Sequence, residues 1–233
     1  MAAIKAGAEQ KIAMSHFPSR GQTAEQKLYQ TKMGKLFLKK VSDRNHRECQ
    51  IDTDSGTLAE REFWSYKLAN KIGLSVPKLT LIDELTTVQE WLDHPDAHIY
   101  ATYQGRLDLE TENVFECALF DWVTGQIDRH DANYLYDFVT HQIILIDSAH
   151  AFLKHGETLP DYLRLFEVAY PKKIKKTCHN NISNNLKQLT EDDLRVLIPL
   201  RNTDEAKALQ NRFQKIKNIE TIENILHLYR ANT

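Results

Sequence analysis

The sequence predicts an α+β fold in two lobes, a small β-rich N-terminal lobe and a larger helical C-terminal lobe. Three observations carry this prediction. Short apolar runs bounded by turn residues gather between Gly34 and Leu92, on either side of one long helical stretch. A second helical period starts at Thr111 and gives way to two strand candidates, Tyr134–Tyr136 and Ile143–Ile146. Beyond Pro160 the pattern is helical, broken by Pro, Asn and Thr.

Each element has its own signal. Residues 1–20 are weakly patterned and read as an N-terminal arm or a short helix. "GKLFLKKV" (Gly34 to Val41) is a strand on which Lys39 and Lys40 point to opposite faces. Lys39 shares a face with Phe37 and is the lysine expected to reach a cleft. "TLAEREFWSYKLANKIGL" (Thr57 to Leu74) is the clearest helix. Phe63, Tyr66, Leu68, Ala69 and Ile72 recur at helical spacing, and Gly73 followed by Pro77 stops it. "KLTLI" and "TTVQEWL" are strands around a turn at Asp83-Glu84. "TENVFECALFDWVTG" is an amphipathic helix with Val114, Ala118, Leu119 and Trp122 on its apolar side, closed by Gly125. The tail carries helices at "PDYLRLFEVAY", "NISNNLKQL", "TEDDLRVLI", "TDEAKALQNRFQKI" and "ETIENILHLYR". Thr190 with Asp193, and Thr203 ahead of Glu205, are the expected N-caps. The chain thus divides into an arm (1–20), an N-lobe (21–92) and a C-lobe with its helical tail (93–233).

Composition narrows the function classes. At 233 residues, 42% hydrophobic and 27% charged, the chain has material for a globular core. A net charge of −2 gives no general attraction to nucleic acid, so any anion binding must be local. Cys49, Cys117 and Cys178 lie far apart without a Cys-x-x-Cys pair, which argues against a disulfide framework or a zinc motif. No apolar run is long enough to span a bilayer and the start lacks a signal-peptide core, so a cytoplasmic or intracellular setting is expected, with export by a signal-less route as the alternative.

The chemistry gathers in "QIDRHDANYLYDFVTHQIILID" (Gln126 to Asp147). Asp128 and Asn133 are five apart, and Asp147 follows fourteen later, after an apolar strand. Phosphoryl transfer needs such a set. One carboxylate orients the attacking hydroxyl, while an amide oxygen and a second carboxylate hold a divalent metal against the phosphates. A lysine must face the phosphates and be steadied by a helix glutamate. Lys39 and Glu62 supply that pair.

These residues carry a resemblance. "DRHDAN" (Asp128 to Asn133) resembles the D-R-H-x-x-N catalytic loop of phosphatidylinositol 3- and 4-kinases. "IDSAHAF" resembles their D-F-G-H, with Asp147 and His150 aligned and Ser148-Ala149 replacing Phe-Gly. "EFWSYKLANKIGLSVP" is similar to the glutamate-bearing helix of HipA-type bacterial kinases and favours Glu62 over Glu60. The resemblance spans Gly34 to Phe152 and implies an atypical protein-kinase-like fold that uses ATP with Mg²⁺ or Mn²⁺. It implies that Lys39 holds the α- and β-phosphates and pairs with Glu62. It further implies that Asp128 orients the acceptor hydroxyl and that Asn133 and Asp147 bind the metal. His130 is expected to brace the loop, with proton transfer as its alternative role. The backbone around Gln89, Glu90 and Trp91 is the expected adenine hinge, and "PSRGQT", with its single Gly21, is the candidate phosphate-covering loop.

The acceptor stays open between a protein hydroxyl, a lipid headgroup and a soluble polyol. Two other functions use the same fold: a pseudokinase acting as a nucleotide-binding scaffold, and an enzyme transferring AMP. Outside the motif, "YPKKIKK" places Lys172, Lys173, Lys175 and Lys176 together, as a solvated face or a site for an inositol polyphosphate or anionic membrane.

Overall fold

The computed structural model describes residues 10–12, 24–96, 113–154, 181–217 and 219. Its first part is a five-stranded antiparallel sheet of order β1-β2-β3-β5-β4. The strands are β1 (Gln10–Ile12), β2 (Glu25–Thr31), β3 (Gly34–Lys40), β4 (Leu79–Asp83) and β5 (Thr86–Glu90). Helices α1 (Asp43–Glu48) and α2 (Leu58–Ile72) connect β3 to β4. Then come α3 (Asn113–Thr124), the hairpin of β6 (Tyr134–Asp137) and β7 (Gln142–Leu145), and helices α4 (Asn181–Gln188), α5 (Glu191–Leu197) and α6 (Thr203–Ile216).

The sheet holds two strands more than the sequence reading found. β1 falls inside the expected arm and pairs with β2 from Gln10↔Gln30 to Ile12↔Leu28. β2, "EQKLYQT", buries only Leu28 and Thr31, so it lacks the alternating apolar signal of a strand. Pairing defines it instead, in register with β3 from Glu25↔Lys40 to Thr31↔Gly34. Gly34 closes that hairpin at φ +113°, where a side chain would be strained.

α2 forms where its caps and spacing predict. The Thr57 hydroxyl accepts from the Glu60 amide at 3.2 Å, and the Glu60 carboxylate accepts from the Thr57 amide at 2.9 Å. Gly73, at φ +86°, ends it. Its inner face buries Trp64, Leu68, Ala69 and Ile72 in a core shared with α3, the β6–β7 hairpin and the C-terminal helices. Arg61 and Glu62 are buried on the same helix, so α2 carries charge as well as apolar surface into the interior.

Two expectations are corrected. α3 is no one-sided amphipathic helix, because every residue of it is buried, packed by β7, α4 and α6. Its polar side chains find internal partners: Asn113 brackets the Ile143 backbone at 2.7 and 3.0 Å, and Thr124 bonds the Phe120 carbonyl at 2.9 Å. The N-cap of α6 is Asn202, not Thr203, since the Asn202 side chain accepts from the amides of Asp204 and Glu205. Thr190 with Asp193 caps α5 in a reciprocal box, as expected. The tail segments beginning at Pro160 and Glu220 lie outside the described residues. Among the described residues no helix is long and apolar enough to cross a membrane.

A buried ion pair joins the start of α2 to α6. Arg61, fully buried, donates to Glu205 of α6 at 2.8 Å, to the Gly56 carbonyl at 2.8 Å and to the Ala151 carbonyl at 3.0 Å. Ser55 adds a hydrogen bond to Glu205, and Arg201 reaches Glu60 at 2.8 Å. The start of α2 is thereby fixed to the C-terminal helices. Removing one partner of a buried pair leaves an uncompensated charge. Glu205→Ala should therefore cost about 3–5 kcal/mol of unfolding free energy, read from the urea midpoint. A loss within the scatter of surface substitutions would show that the pair is not needed.

Candidate active site

The site is assembled from the loop between α3 and β6, the segment after β7, and the paired faces of β3 and α2. Gly125 opens the loop at φ +61°, and a Cβ there would lie 2.7 Å from the guanidinium carbon of Arg212. Arg129, buried within the loop, uses every guanidinium donor. It meets Asp121 of α3 through two bonds at 2.9 and 3.0 Å, the Asn133 carbonyl at 2.6 Å, the Ile146 carbonyl at 2.5 Å and the Ser148 hydroxyl at 2.8 Å. Burial pushes the Asp121 carboxyl upward against the pull of the Arg129 charge. This one side chain sets the spacing between the loop and the end of β7.

Asp128 and Asn133 sit together at the rim. The Asn133 amide nitrogen donates to the Asp128 carbonyl at 2.7 Å, which fixes how its amide is turned. His130, expected to brace the loop, is more than half exposed. Its Nδ1 accepts from the Ala132 amide at 3.2 Å and its Nε2 stands 3.9 Å from Asp128. The histidine in hydrogen-bond contact with Asp128 is His150, whose Nδ1 lies 2.9 Å from Oδ2. Its other nitrogen meets Sγ of Cys49 at 3.2 Å. Burial lowers the His150 pKa, but its bonds to Asp128 and Cys49 and the charges of Asp128 and Asp147 outweigh that and push it up to about 10.

Lys39, Glu62 and Asp147 converge from β3, α2 and the end of β7. Lys39 Nζ lies 2.5 Å from Asp147 and 3.6 Å from Glu62, while its neighbour Lys40 is exposed. The register explains the choice. Lys39 stands opposite Thr87 of β5, whose hydroxyl reaches Glu62 at 3.4 Å, so this face of the sheet looks onto α2. Burial opposes the Lys39 charge, but Asp147 and Glu62 prevail and raise its pKa. Burial likewise lifts Glu62, while Lys39 offsets burial at Asp147 and holds that carboxyl below its usual value. Asp147 has a left-handed backbone at φ +49°, and its carbonyl accepts from Gln126 at 3.1 Å. Strain of this kind persists only where the surroundings over-determine it. Here Lys39, Gln126 and the neighbouring Arg129 contacts do so.

The remaining expected residues divide. Gln89, next to last in β5, lines a cavity together with Glu62, Tyr66, Phe120 and Asp147. The Glu90 and Trp91 amides are already donated, to the Lys78 carbonyl at 2.8 Å and the Lys35 carbonyl at 3.0 Å. At the expected Gln89–Trp91 hinge those two amides are thus engaged with neighbouring backbone. Gly21 and Lys172, Lys173, Lys175 and Lys176 lie outside the described residues. Among the described residues no cluster of three or more His, Cys, Asp or Glu side chains forms a metal cage. The donor set of Asn133 and Asp147 instead fits a hard cation that completes its shell with water and phosphate oxygens. Sequence reasoning assigned no role to Arg129 or Gln126 and did not connect Cys49 with His150. Only the run of charge around Arg129 carried a local signal.

No protein-family model matches the chain, and no curated protein matches it. Among solved structures it is similar to the Rio2 kinase-ADP/Mg²⁺-phosphoaspartate complex from Chaetomium thermophilum, at 15% identity and TM-score 0.52, over 91% of this chain and 71% of that one. It is also similar to the Helicobacter pylori proinflammatory kinase CtkA, at 11% identity and TM-score 0.51, over 96% of this chain and 97% of that one. The chain has an atypical protein-kinase-like fold, a β-sheet N-terminal region joined to a helical C-terminal region.

The His150–Asp128 pair gives the site a pH signature. The folded-state pKa of His150 lies above its ordinary value of 6.5, so the stability it contributes is complete below about pH 6.5 and is lost as pH rises to about 10. Thermal melts of the wild type and His150→Gln should differ most at the acid end of that window and converge toward its alkaline end. A difference constant across the window would mean that His150 is uncharged throughout.

Proposed function

We propose that this chain transfers the γ-phosphoryl group of ATP to a hydroxyl, as an atypical kinase resembling the phosphatidylinositol 3-/4-kinases and HipA-type kinases. One observation carries the reading. Lys39, Glu62 and Asp147 meet from β3, α2 and the end of β7, while Asp128 and Asn133 meet in the loop that Arg129 ties to that same end of β7. Transfer of this kind asks for positioning and charge stabilisation rather than covalent chemistry from the protein.

Lys39 now bridges two carboxylates. When nucleotide binds, Lys39 turns to the α- and β-phosphates and keeps Glu62 as its partner, which frees Asp147 for the metal. Asn133, held by the Asp128 carbonyl, offers its amide oxygen beside it. Bound Mg²⁺ or Mn²⁺ neutralises phosphate charge and fixes the phosphate geometry. Asp128 orients the acceptor hydroxyl and accepts its proton. The acceptor class is a protein hydroxyl, a phosphoinositide headgroup or a soluble polyol.

The first test is incubation with γ-labelled ATP and Mg²⁺ or Mn²⁺, scored for self-labelling and then for label on phosphatidylinositol liposomes and on generic proteins. Label transferred from the α-phosphate instead would mean AMP transfer. Nucleotide binding without any transfer would mean a scaffold. Self-label released by hydroxylamine would mark an acyl phosphate rather than a hydroxyl ester.

Substitutions separate the roles. Asp147→Ala should abolish Mg²⁺-dependent ATP binding measured by calorimetry, because it removes the anionic metal ligand. Asp128→Ala should leave that binding nearly intact while lowering turnover by roughly two or more orders of magnitude. Parallel losses of binding and rate in Asp128→Ala would contradict the division of roles.

The lysine assignment has its own control. Lys39→Met should impair transfer severely, since its charge sits between Asp147 and Glu62, while the exposed Lys40→Met should stay close to wild type. The opposite pattern would move the site by one residue along β3.

A further inference from the structure

Cys49 follows α1 and is half-buried, with its sulfur 3.2 Å from Nε2 of His150 across 101 positions of sequence. On the other side of the ring, Nδ1 lies 2.9 Å from the Asp128 carboxylate. The carboxylate accepts a hydrogen bond from Nδ1–H, which turns Nε2 toward the sulfur. Thiol, imidazole and carboxylate in this order form the arrangement that activates a nucleophile: a base in contact with it and a third group orienting the base. A cationic imidazole donates to the sulfur through Nε2, the contact by which a neighbouring histidine activates a thiol. The charged groups facing the ring are Asp128 and Asp147, both carboxylates that favour its cationic form. Cys117 offers the contrast. It is fully buried in α3, and burial pushes its thiol far up, which makes it inert.

We propose that Cys49 is a His150-activated thiol and a site of covalent modification by small disulfides. The exchange needs no further reactant. The Cys49 thiolate attacks one sulfur of the disulfide, the new S–S bond forms as the old one breaks, and the departing thiolate takes a proton from solvent. The adduct replaces the contact with Nε2 and places bulk beside Asp128. On the phosphotransfer reading that is the acceptor side of the site. Nucleotide binding, which rests on Lys39, Asn133 and Asp147, continues while transfer stops.

The experiment uses the full chain at pH 7. Iodoacetamide labelling of each cysteine is followed by peptide mass spectrometry beside N-acetylcysteine amide as a free-thiol reference. Cys49 should react about tenfold faster than the reference, and Cys117 should stay unlabelled. His150→Gln should bring Cys49 down to the reference rate or below. Continued protection of Cys117 reports that the variant has folded. If it has not, the comparison of wild-type Cys49 with the reference decides alone. A Cys49 rate no greater than the reference overturns the proposal. Treatment with oxidised glutathione should then load Cys49, cut phosphotransfer at least tenfold and leave Mg²⁺-dependent ATP-analogue binding unchanged, with dithiothreitol restoring the rate. A loaded protein that transfers at the untreated rate overturns the blocking step. A chain that transfers no phosphate even untreated sinks the phosphotransfer reading, and the labelling rates still decide the thiol.

Discussion

The site depends on Arg129. A guanidinium has five N–H donors in a fixed fork, and here all five have acceptors, spread over four parts of the surrounding frame: α3, which takes two, the loop, the end of β7 and the residue after Asp147. Leaving such a charge unpaired in the interior would be severely destabilising, so loop and strand must take the spacing that satisfies it. Lysine has the charge without the planar fork and could meet only some of these partners. The geometry of Asp128, Asn133 and Asp147 is therefore inherited from a residue that touches no proposed substrate.

A second set of buried charges locates the other half of the site. Arg61 and Glu205 tie the first turn of α2 to α6, and Glu62 is the next residue along the helix. The glutamate facing Lys39 is thus positioned from the C-terminal helices, although it lies close to the sheet. Asn185 of α4 adds a hydrogen bond to the Ile72 carbonyl at 3.0 Å, holding the far end of the same helix. One lysine then stands between two carboxylates in a largely buried setting, and that local excess of negative charge suits a cation bridging protein and phosphate.

The legible parts of the sequence were those whose cause is local. Thr57, Glu60 and Gly73 announce the ends of α2, the alternation in "LFLKK" settles Lys39 against Lys40, and the spacing of Asp128, Asn133 and Asp147 survives because one hairpin connects them. What was not legible depends on distant partners. β2 is polar and becomes a strand only through β3, α3 is buried on all sides by elements far along the chain, and His150 takes its role from Asp128 and Cys49. His130 and His150 look equally suited in one dimension. Only the fold shows which of them faces solvent.

The residues after Asp147 bear on how such a site is controlled. In the resembled motif, Phe-Gly follows the metal-binding aspartate and joins a large apolar side chain to a flexible backbone. Here Ser148 accepts from Arg129 and, through its carbonyl, from Ser65 of α2 at 3.2 Å. Ala149 is buried in a small core with Val41, Ile51, Leu58 and Ala59. Moving Asp147 out of the cleft would break the Ser148 bonds, leave one Arg129 donor without its acceptor and pull Ala149 from its packing. Each of these losses is costly, because buried polar groups must be satisfied and cores do not deform smoothly. A switch that works by flipping this segment is therefore disfavoured, and the Ser148-Ala149 pair is the physical reason that Asp147 stays where Lys39 can reach it.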